Sequence, residues 1–223
     1  MNSKTMVLFS LCGIAAPIVF ASVVVIAGMF YPGYSHSAQA ISELAAVDSP
    51  VAVVQNVNSF VTGVLLIAFA RALRAGINSR RESVLGPALI GFFGVTYIGY
   101  GFLPCDPGGE FVSTVGSLHN AIATCSFLSV LTGIFIVSRT LAPDPNWGRM
   151  YRLYSLITAA AGLITLVLWL TIASPAPPGI PRLIARVPAA NGTIQRVFLA
   201  IVLQWIEVMA IRLFVVLRRR QEL

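Results

Sequence analysis

Charged side chains are scarce in this chain. Of its 223 residues, 10% are Asp, Glu, Lys or Arg, whereas 57% are hydrophobic. A soluble domain carries roughly 25% charged residues, so this chain could not build a water-facing surface around a core. The composition therefore excludes a soluble globular protein. It predicts one that crosses the membrane several times, and its length suits a single bundle.

Cysteine and lysine are also rare. Three cysteines without CxxC spacing provide neither a disulfide framework nor a metal-binding knuckle. Lys4 is the only lysine, so the net charge of +7 comes almost entirely from arginine. In a membrane protein such an excess first indicates orientation, because basic residues concentrate in cytoplasmic loops. It does not predict a nucleic-acid partner.

Six apolar runs are long enough to cross a bilayer, which takes about 20 helical residues. Continuous runs of this kind predict helices, not the alternating strands of a membrane barrel. We therefore predict an all-α, polytopic membrane protein whose single domain, residues 1–223, is a six-transmembrane-helix bundle. The predicted spans are residues 6–29, 51–73, 84–103, 120–137, 153–173 and 194–217.

Basic residues lie almost entirely on one side of this arrangement. The opposite side has only Arg182, Arg186 and Arg196. By the positive-inside rule, both termini are predicted in the cytoplasm, in a multi-pass protein of a prokaryotic plasma membrane. The basic residues of the cytoplasmic side are Lys4, Arg71, Arg74, Arg80, Arg81, Arg139, Arg149, Arg152, Arg218, Arg219 and Arg220.

Two polar segments without basic residues lie on the predicted outer side, at residues 31–45 and 104–110. The chain's two histidines lie within the first segment and shortly after the second, and several carboxylates accompany them. Because the topology puts both segments on one membrane face, we expect a ligand site there. The candidates, joined by an arginine at the start of the last run, are His36, Glu43, Asp106, Glu110, His119 and Arg196.

The first polar segment also predicts a short amphipathic helix. Ser37 can cap a helix that extends to about Ala46. On a helical projection the apolar side chains would face the membrane and the polar ones would share the opposite face. The apolar set is Ile41, Leu44 and Ala45, and the polar set is His36, Gln39 and Glu43.

Two arginines follow the proline-rich third outer segment. Arg182 and Arg186 are spaced to share one face of a helix. This spacing is typical of residues that contact phosphate or carboxylate groups, or that anchor a protein at lipid headgroups. We favour the anchor.

Glu207 lies near the middle of the last apolar run. An ionised carboxylate at that depth is costly, so it must face the bundle, find partners or stay protonated. We expect partners among Gln204, Asn58 and Thr124. A functional role and a structural hydrogen bond both remain open for this residue, and we keep it among the ligand-binding candidates.

Several short motifs become informative together. They are Ser35-His36, Ile41-Ser-Glu-Leu44, Pro104-Cys-Asp-Pro107, Leu118-His119 and Gly192-x-x-Gln-Arg196 with Trp205. In this order between hydrophobic spans, they resemble the DUF998 family of bacterial and archaeal integral membrane proteins over nearly the whole chain. The plan is more loosely similar to the Frag1/DRAM/Sfk1 membrane proteins. The resemblance implies about six helices and no assigned activity, so no catalytic role can be assigned from it.

Three functions stay open at this point. The first is an outer polar site that binds or transports a small molecule, an ion or a lipid headgroup, although no inverted repeat indicates a carrier. The second is a metal-dependent hydrolase of lipids, with His36, His119 and Asp106 as weak metal candidates. The third is a structural or accessory subunit. The expected partner is the bilayer, and neither a catalytic residue nor a cofactor is identified.

Overall fold

The computed structural model describes residues 3–77, 84–142, 144–179 and 184–222, and this part of the chain contains helices and no strand. Each predicted apolar run coincides with one long helix. A π-helical turn, Trp169–Ala173, extends the fifth helix. The six helices are α1 Ser3–Met29, α2 Ala52–Gly76, α3 Leu85–Tyr100, α4 Thr114–Leu141, α5 Gly148–Leu168 and α6 Asn191–Glu222.

Five of these six helices are long and apolar enough to cross a membrane: α1, α2, α4, α6, and α5 together with its π-helical turn. The chain is therefore a multi-pass membrane protein. The helix α3 is also apolar, but it has 16 residues. Its rise of about 24 Å is shorter than the hydrocarbon thickness of about 30 Å.

The helices form a closed ring in chain order, because each packs on the next and α6 packs on α1. Contacts at the two ends show that successive helices run in opposite directions. At one end, Trp147 Nε1 before α5 donates to Gly76 O of α2. At the other, Trp169 Nε1 donates to Asn191 Oδ1 at the start of α6.

We name the two ends of the ring by what they carry. The arginine end holds the start of α1, the end of α6 and the junction between α4 and α5, with the basic residues of α2, α4 and α5 and those in the last turns of α6. The opposite end is covered by the cap, which we define as loop 30–51, loop 101–113 and the described parts of loop 174–190. Loop 101–113 contains the single 3₁₀ turn Pro107–Gly109.

The helix α3 approaches both neighbours closely because glycines line the contacts. A Cβ on Gly63 of α2 would lie 2.5 Å from Gly94 O of α3. A Cβ on Gly86 of α3 would lie 3.1 Å from Gly133 O of α4. Without a hydrophobic driving force in lipid, such backbone-to-backbone packing stabilises helix association by van der Waals contact.

The interior of the ring is filled at the arginine end and open beneath the cap. Large side chains with no exposed surface, including Phe69, Trp205, Met209 and Leu213, fill the arginine half. Trp205 Nε1 donates to Ser155 Oγ at 2.9 Å, which satisfies its one polar group. The space that remains lies in the cap half, where the candidate site is found.

Candidate functional site

Arg196, in the second turn of α6, holds loop 30–51 against that helix. Its Nη2 donates to Tyr34 OH at 2.7 Å and lies 3.1 Å from His36 Nδ1, while Nη1 donates to Gln39 O at 2.9 Å. A guanidinium has donors only, so His36 Nδ1 accepts this hydrogen bond. Arg196 therefore joins the first polar segment to the last helix, and its guanidinium donates to groups of the protein itself.

His36 is a neutral packing residue in this arrangement. Its ring lies edge-on to Tyr34, with the ring centres 5.2 Å apart, and it covers Gly28, where a Cβ would lie 2.5 Å from Nε2. Burial and then the positive charge of Arg196 lower the pKa of His36 below its ordinary value. The imidazole is thus uncharged at neutral pH, with Nδ1 already occupied.

The GxxQR motif at the start of α6 is the surface on which this loop packs. A Cβ on Gly192 would overlap Gln39 O and lie 2.5 Å from His36 O. Three residues later, Gln195 Oε1 accepts from Ile41 N at 2.6 Å. The motif therefore provides space, an acceptor and, with its arginine, a donor to a loop about 150 residues away in sequence.

The predicted amphipathic helix is wrong. The structure has a 3₁₀ helix, Ile41–Ala45, whose apolar side chains point into the protein, and Leu44 has no exposed surface. Glu43 Oε1 accepts from Ala40 N at 2.6 Å, and Oε2 accepts from Gln39 Nε2 at 3.3 Å. The loop crosses the mouth of the helix ring, so its apolar residues are buried in the ring instead of in lipid.

Asp106 organises loop 101–113. Its Oδ2 accepts from Val112 N at 2.9 Å and Ser113 N at 2.8 Å, and its Oδ1 accepts from Ser113 Oγ at 2.7 Å. These hydrogen bonds, led by the backbone N–H of Ser113, lower the pKa of Asp106. Ser113 Oγ in turn accepts from Gly116 N at 2.9 Å and caps α4. Asp106 thus positions the helix that carries His119.

The two polar segments contact each other, as expected from the topology. Cys105 Sγ donates to Ser42 O at 3.0 Å across the two loops. Burial raises the pKa of Cys105 to about 12, so the thiol stays protonated and able to donate. The contact is made by backbone and thiol, and the predicted ligand-binding carboxylates do not take part in it.

Glu110 and Arg186 form an ion pair between the second and third loops, with 2.9 Å between Glu110 Oε1 and Arg186 Nη1. Arg186 Nε also donates to Ala173 O, at the end of the π-helical turn. Arg186 lies outside any helix, so the prediction that it shares a helical face with Arg182 is wrong. The anionic group that it contacts is the carboxylate of Glu110 in the same chain. Arg182 lies outside the described residues.

Glu207 lies away from the cap. It is partly buried on α6. Within the described residues, no hydrogen bond joins it to the expected partners. Gln204 is exposed, and the side-chain donors of Asn58 and Thr124 are used elsewhere. The structure therefore does not pair Glu207 with the expected partners.

A cavity of about 290 Å³ lies inside the ring beneath the cap. All six helices and all three loops contribute to its walls. Among the described candidate residues, His119 lines the cavity, whereas the charged candidates and His36 do not. Its apolar lining includes Phe20, Tyr97, Phe111, Ala123, Phe127, Trp169, Pro175 and Leu199, and its polar lining includes Gln55, Ser59, Tyr100, His119, Asn120, Thr124, Asn191 and Gln195.

His119 is the one imidazole in this lining. Its side chain is 4% exposed, and its ring packs on Tyr100 with the ring centres 5.0 Å apart. Nδ1 lies 2.6 Å from Leu103 O. A carbonyl oxygen can only accept, so Nδ1 carries a proton, and because burial disfavours the charged ring, Nε2 is left as a hydrogen-bond acceptor. The cavity therefore contains a neutral acceptor at a defined position.

Sequence reasoning missed most of the cavity's polar residues. The amides of Gln55, Asn191 and Gln195 are all buried. Their signal in the sequence was an amide near the end of an apolar run, which is costly in lipid unless it has a partner. That signal does not distinguish an amide that joins two helices from one that faces a cavity.

The weak metal candidates do not form a shared site. Asp106 is bonded to Val112 and Ser113, and His36 is bonded to Arg196. Across the residues that the structure describes, no group of three or more His, Cys, Asp or Glu side chains could hold a metal ion. These residues therefore do not provide the set of metal ligands that the predicted hydrolase alternative requires.

Comparison with protein families identifies the chain. A family model described as "Protein of unknown function (DUF998)" matches residues 14–212. The match covers most of the chain, which therefore belongs to this family. No curated protein and no solved structure matches it. The motifs that carry the resemblance are, in the structure, largely those that hold the cap in place.

Proposed function

We propose that this member of the DUF998 family binds an uncharged amphipathic molecule in the cavity beneath the cap. The observation that carries the proposal is the composition of the cavity walls. The described lining residues carry apolar, hydroxyl or amide side chains together with one neutral imidazole, and none of them is Asp, Glu, Lys or Arg. Small-molecule sites have this character, mostly apolar with a few placed polar groups.

The hydrogen-bonding groups favour a hydroxyl as the polar head of the ligand. His119 Nε2 can accept a hydrogen bond. Gln195 Oε1 and Asn191 Oδ1 already accept from Ile41 N and from Trp169 Nε1, which leaves their amide N–H groups as donors. A hydroxyl can donate to the first and accept from the others. A carboxylate or an ammonium would enter without an opposite charge, which is unfavourable in a buried site.

Binding should disappear when the cavity is filled. We expect purified protein in detergent to bind geraniol, a branched alcohol, and to lose this binding in Ala123→Phe, because the larger ring occupies the cavity. Geranyl methyl ether, which cannot donate, should bind about tenfold more weakly than geraniol to the wild-type protein. Native mass spectrometry measures both ligands.

The matched control is Ala121→Phe on the same helix. Ala121 is exposed on the lipid-facing side of α4, so the same added ring should leave geraniol binding unchanged. Equal loss in both variants, or equal binding of the alcohol and its ether, would contradict a hydroxyl site in the cavity. Binding that survives Ala123→Phe would place the alcohol at the detergent interface.

We also propose that all six helices cross the membrane, with the arginine end and both termini in the cytoplasm. Two features support this. The arginines concentrate at one end of the ring, in accord with the positive-inside rule. In addition, α3 packs between α2 and α4 through glycine contacts, so it occupies the same layer as two helices of full membrane-spanning length.

Cysteine labelling tests this topology. In a background without the three native cysteines, an impermeant maleimide should label Ser37→Cys and Val112→Cys in intact cells. Asn146→Cys, at the arginine end, should react only after permeabilisation. Labelled Asn146→Cys together with protected Ser37→Cys in intact cells would reverse the orientation. If Ser37→Cys were labelled and Val112→Cys were protected, α3 would not cross the membrane, because these positions lie before α2 and after α3.

A further inference from the structure

A second concave surface lies at the arginine end, between α2 and α3. It is an open groove of about 620 Å³ that shares no lining residue with the cavity. Small apolar residues leave the space: a Cβ on Gly91 would meet only Ala70 Cβ, at 3.6 Å. Arg71 and Arg74, near the end of α2, border the groove.

We propose that this groove binds an anionic phospholipid, with its phosphate against Arg71 and Arg74 and an acyl chain along the small residues. The groove includes Val84 beside the start of α3 and extends to Gly91. This is about 10 Å along the helix, so the groove leads from the membrane boundary into the hydrocarbon. One surface thus offers both cationic groups and an apolar channel, which matches the two parts of a lipid.

The charges beside the groove favour an anionic headgroup. Within the described ranges, neither Arg71 nor Arg74 has an ion-pair or hydrogen-bond partner, so both guanidinium groups are available to a headgroup at the groove. A guanidinium presents a planar fork that suits two phosphate oxygens. Basic pockets between membrane helices are attractive to anionic headgroups for this reason.

The apolar part of the groove favours a lipid over a soluble phosphate. Ala70, Pro87, Ala88 and Gly91 carry no polar side-chain atom, so a soluble anion would gain nothing from them. An acyl chain gains van der Waals contact along their surface, which is the interaction that remains available within a bilayer. The inference does not depend on the function proposed for the cavity.

Lipid counting by native mass spectrometry tests the proposal on the full-length protein in detergent. Phosphatidylglycerol should bind wild-type protein more tightly than phosphatidylcholine with the same acyl chains. Arg71→Gln/Arg74→Gln should weaken phosphatidylglycerol binding about 30-fold, since each basic residue near the headgroup contributes about a factor of five. Arg149→Gln/Arg152→Gln, which removes two exposed arginines from α5 at the same end, should leave it unchanged.

A steric variant tests the acyl-chain part separately. Gly91→Leu fills the groove while both arginines remain, so phosphatidylglycerol binding should fall. Gly99→Leu, on the same helix where a Cβ meets nothing within 4 Å, should not alter it. If the Arg71/Arg74 and Arg149/Arg152 double variants weakened phosphatidylglycerol binding equally, net charge alone would explain the effect and the groove would not be a specific site. Unchanged binding in Gly91→Leu, or competition by glycerol phosphate as strong as by the lipid, would overturn the proposal.

Discussion

Replacing Gly192 with alanine will separate loop 30–51 from α6 and destabilise the folded protein by about 3 kcal/mol, as overpacking of a tight contact does. The new Cβ would overlap Gln39 O, and it would lie 2.5 Å from His36 O and 2.7 Å from Arg196 Nη1. Two of these are backbone atoms, and Arg196 already binds Gln39 O. The loop cannot move away without breaking that hydrogen bond.

Thermal unfolding of the detergent-solubilised protein measures this loss, and Gly99→Ala is the matched control. Both glycines lie in helices with ordinary helical backbone, but a Cβ at Gly99 meets nothing within 4 Å. Alanine there should stabilise the helix by up to about 1 kcal/mol. Similar melting of the two variants would contradict a tight approach of the loop to α6.

Gly116→Ala should cause a loss of similar size at the other side of the cap. A Cβ on Gly116 would overlap Asp106 Oδ2 and lie 2.8 Å from Oδ1. The carboxylate accepts three hydrogen bonds from Val112 and Ser113. Displacing it breaks these hydrogen bonds, which hold loop 101–113 at the start of α4. Melting should shift downward, and the buried thiol of Cys105 should become reactive toward maleimide in protein without the other two cysteines.

A double-mutant cycle separates the clash with Asp106 from any other effect of the substitution. In an Asp106→Ala background the carboxylate is absent, and Gly116→Ala should then cost little further stability. Residues in direct contact show such non-additivity, whereas independent sites add. Equal losses from Gly116→Ala in the two backgrounds would show that the clash with Asp106 is not their cause.

Several properties of this protein could be predicted from the sequence because they depend on local composition. The length and continuity of an apolar run determine whether a segment can form a membrane helix, since each helix satisfies its own backbone in lipid. The six long helices of the structure therefore coincide with six runs in the sequence. Short motifs in order were sufficient for the family, which the match over residues 14–212 confirms.

The roles of the polar residues could not be predicted in the same way. His36, Asp106 and Arg196 were predicted to bind a ligand, because unpaired ionisable groups on one membrane face are costly. In the structure they hold the cap: Arg196 contacts His36 across 160 residues of chain, and Asp106 binds a loop six and seven residues further on. Sequence shows that such groups need partners, but not whether the partner is protein or ligand.

The cavity is the feature that tertiary structure alone decided. Its walls come from all six helices, so it exists only when the ring closes. Whether Ala123 faces this space while Ala121 faces lipid depends on the rotation of α4 against its neighbours, and glycine contacts such as Gly86 with Gly133 set that rotation. Hydrophobicity identifies a membrane helix but cannot orient it, because the cavity wall and the surrounding lipid are both apolar.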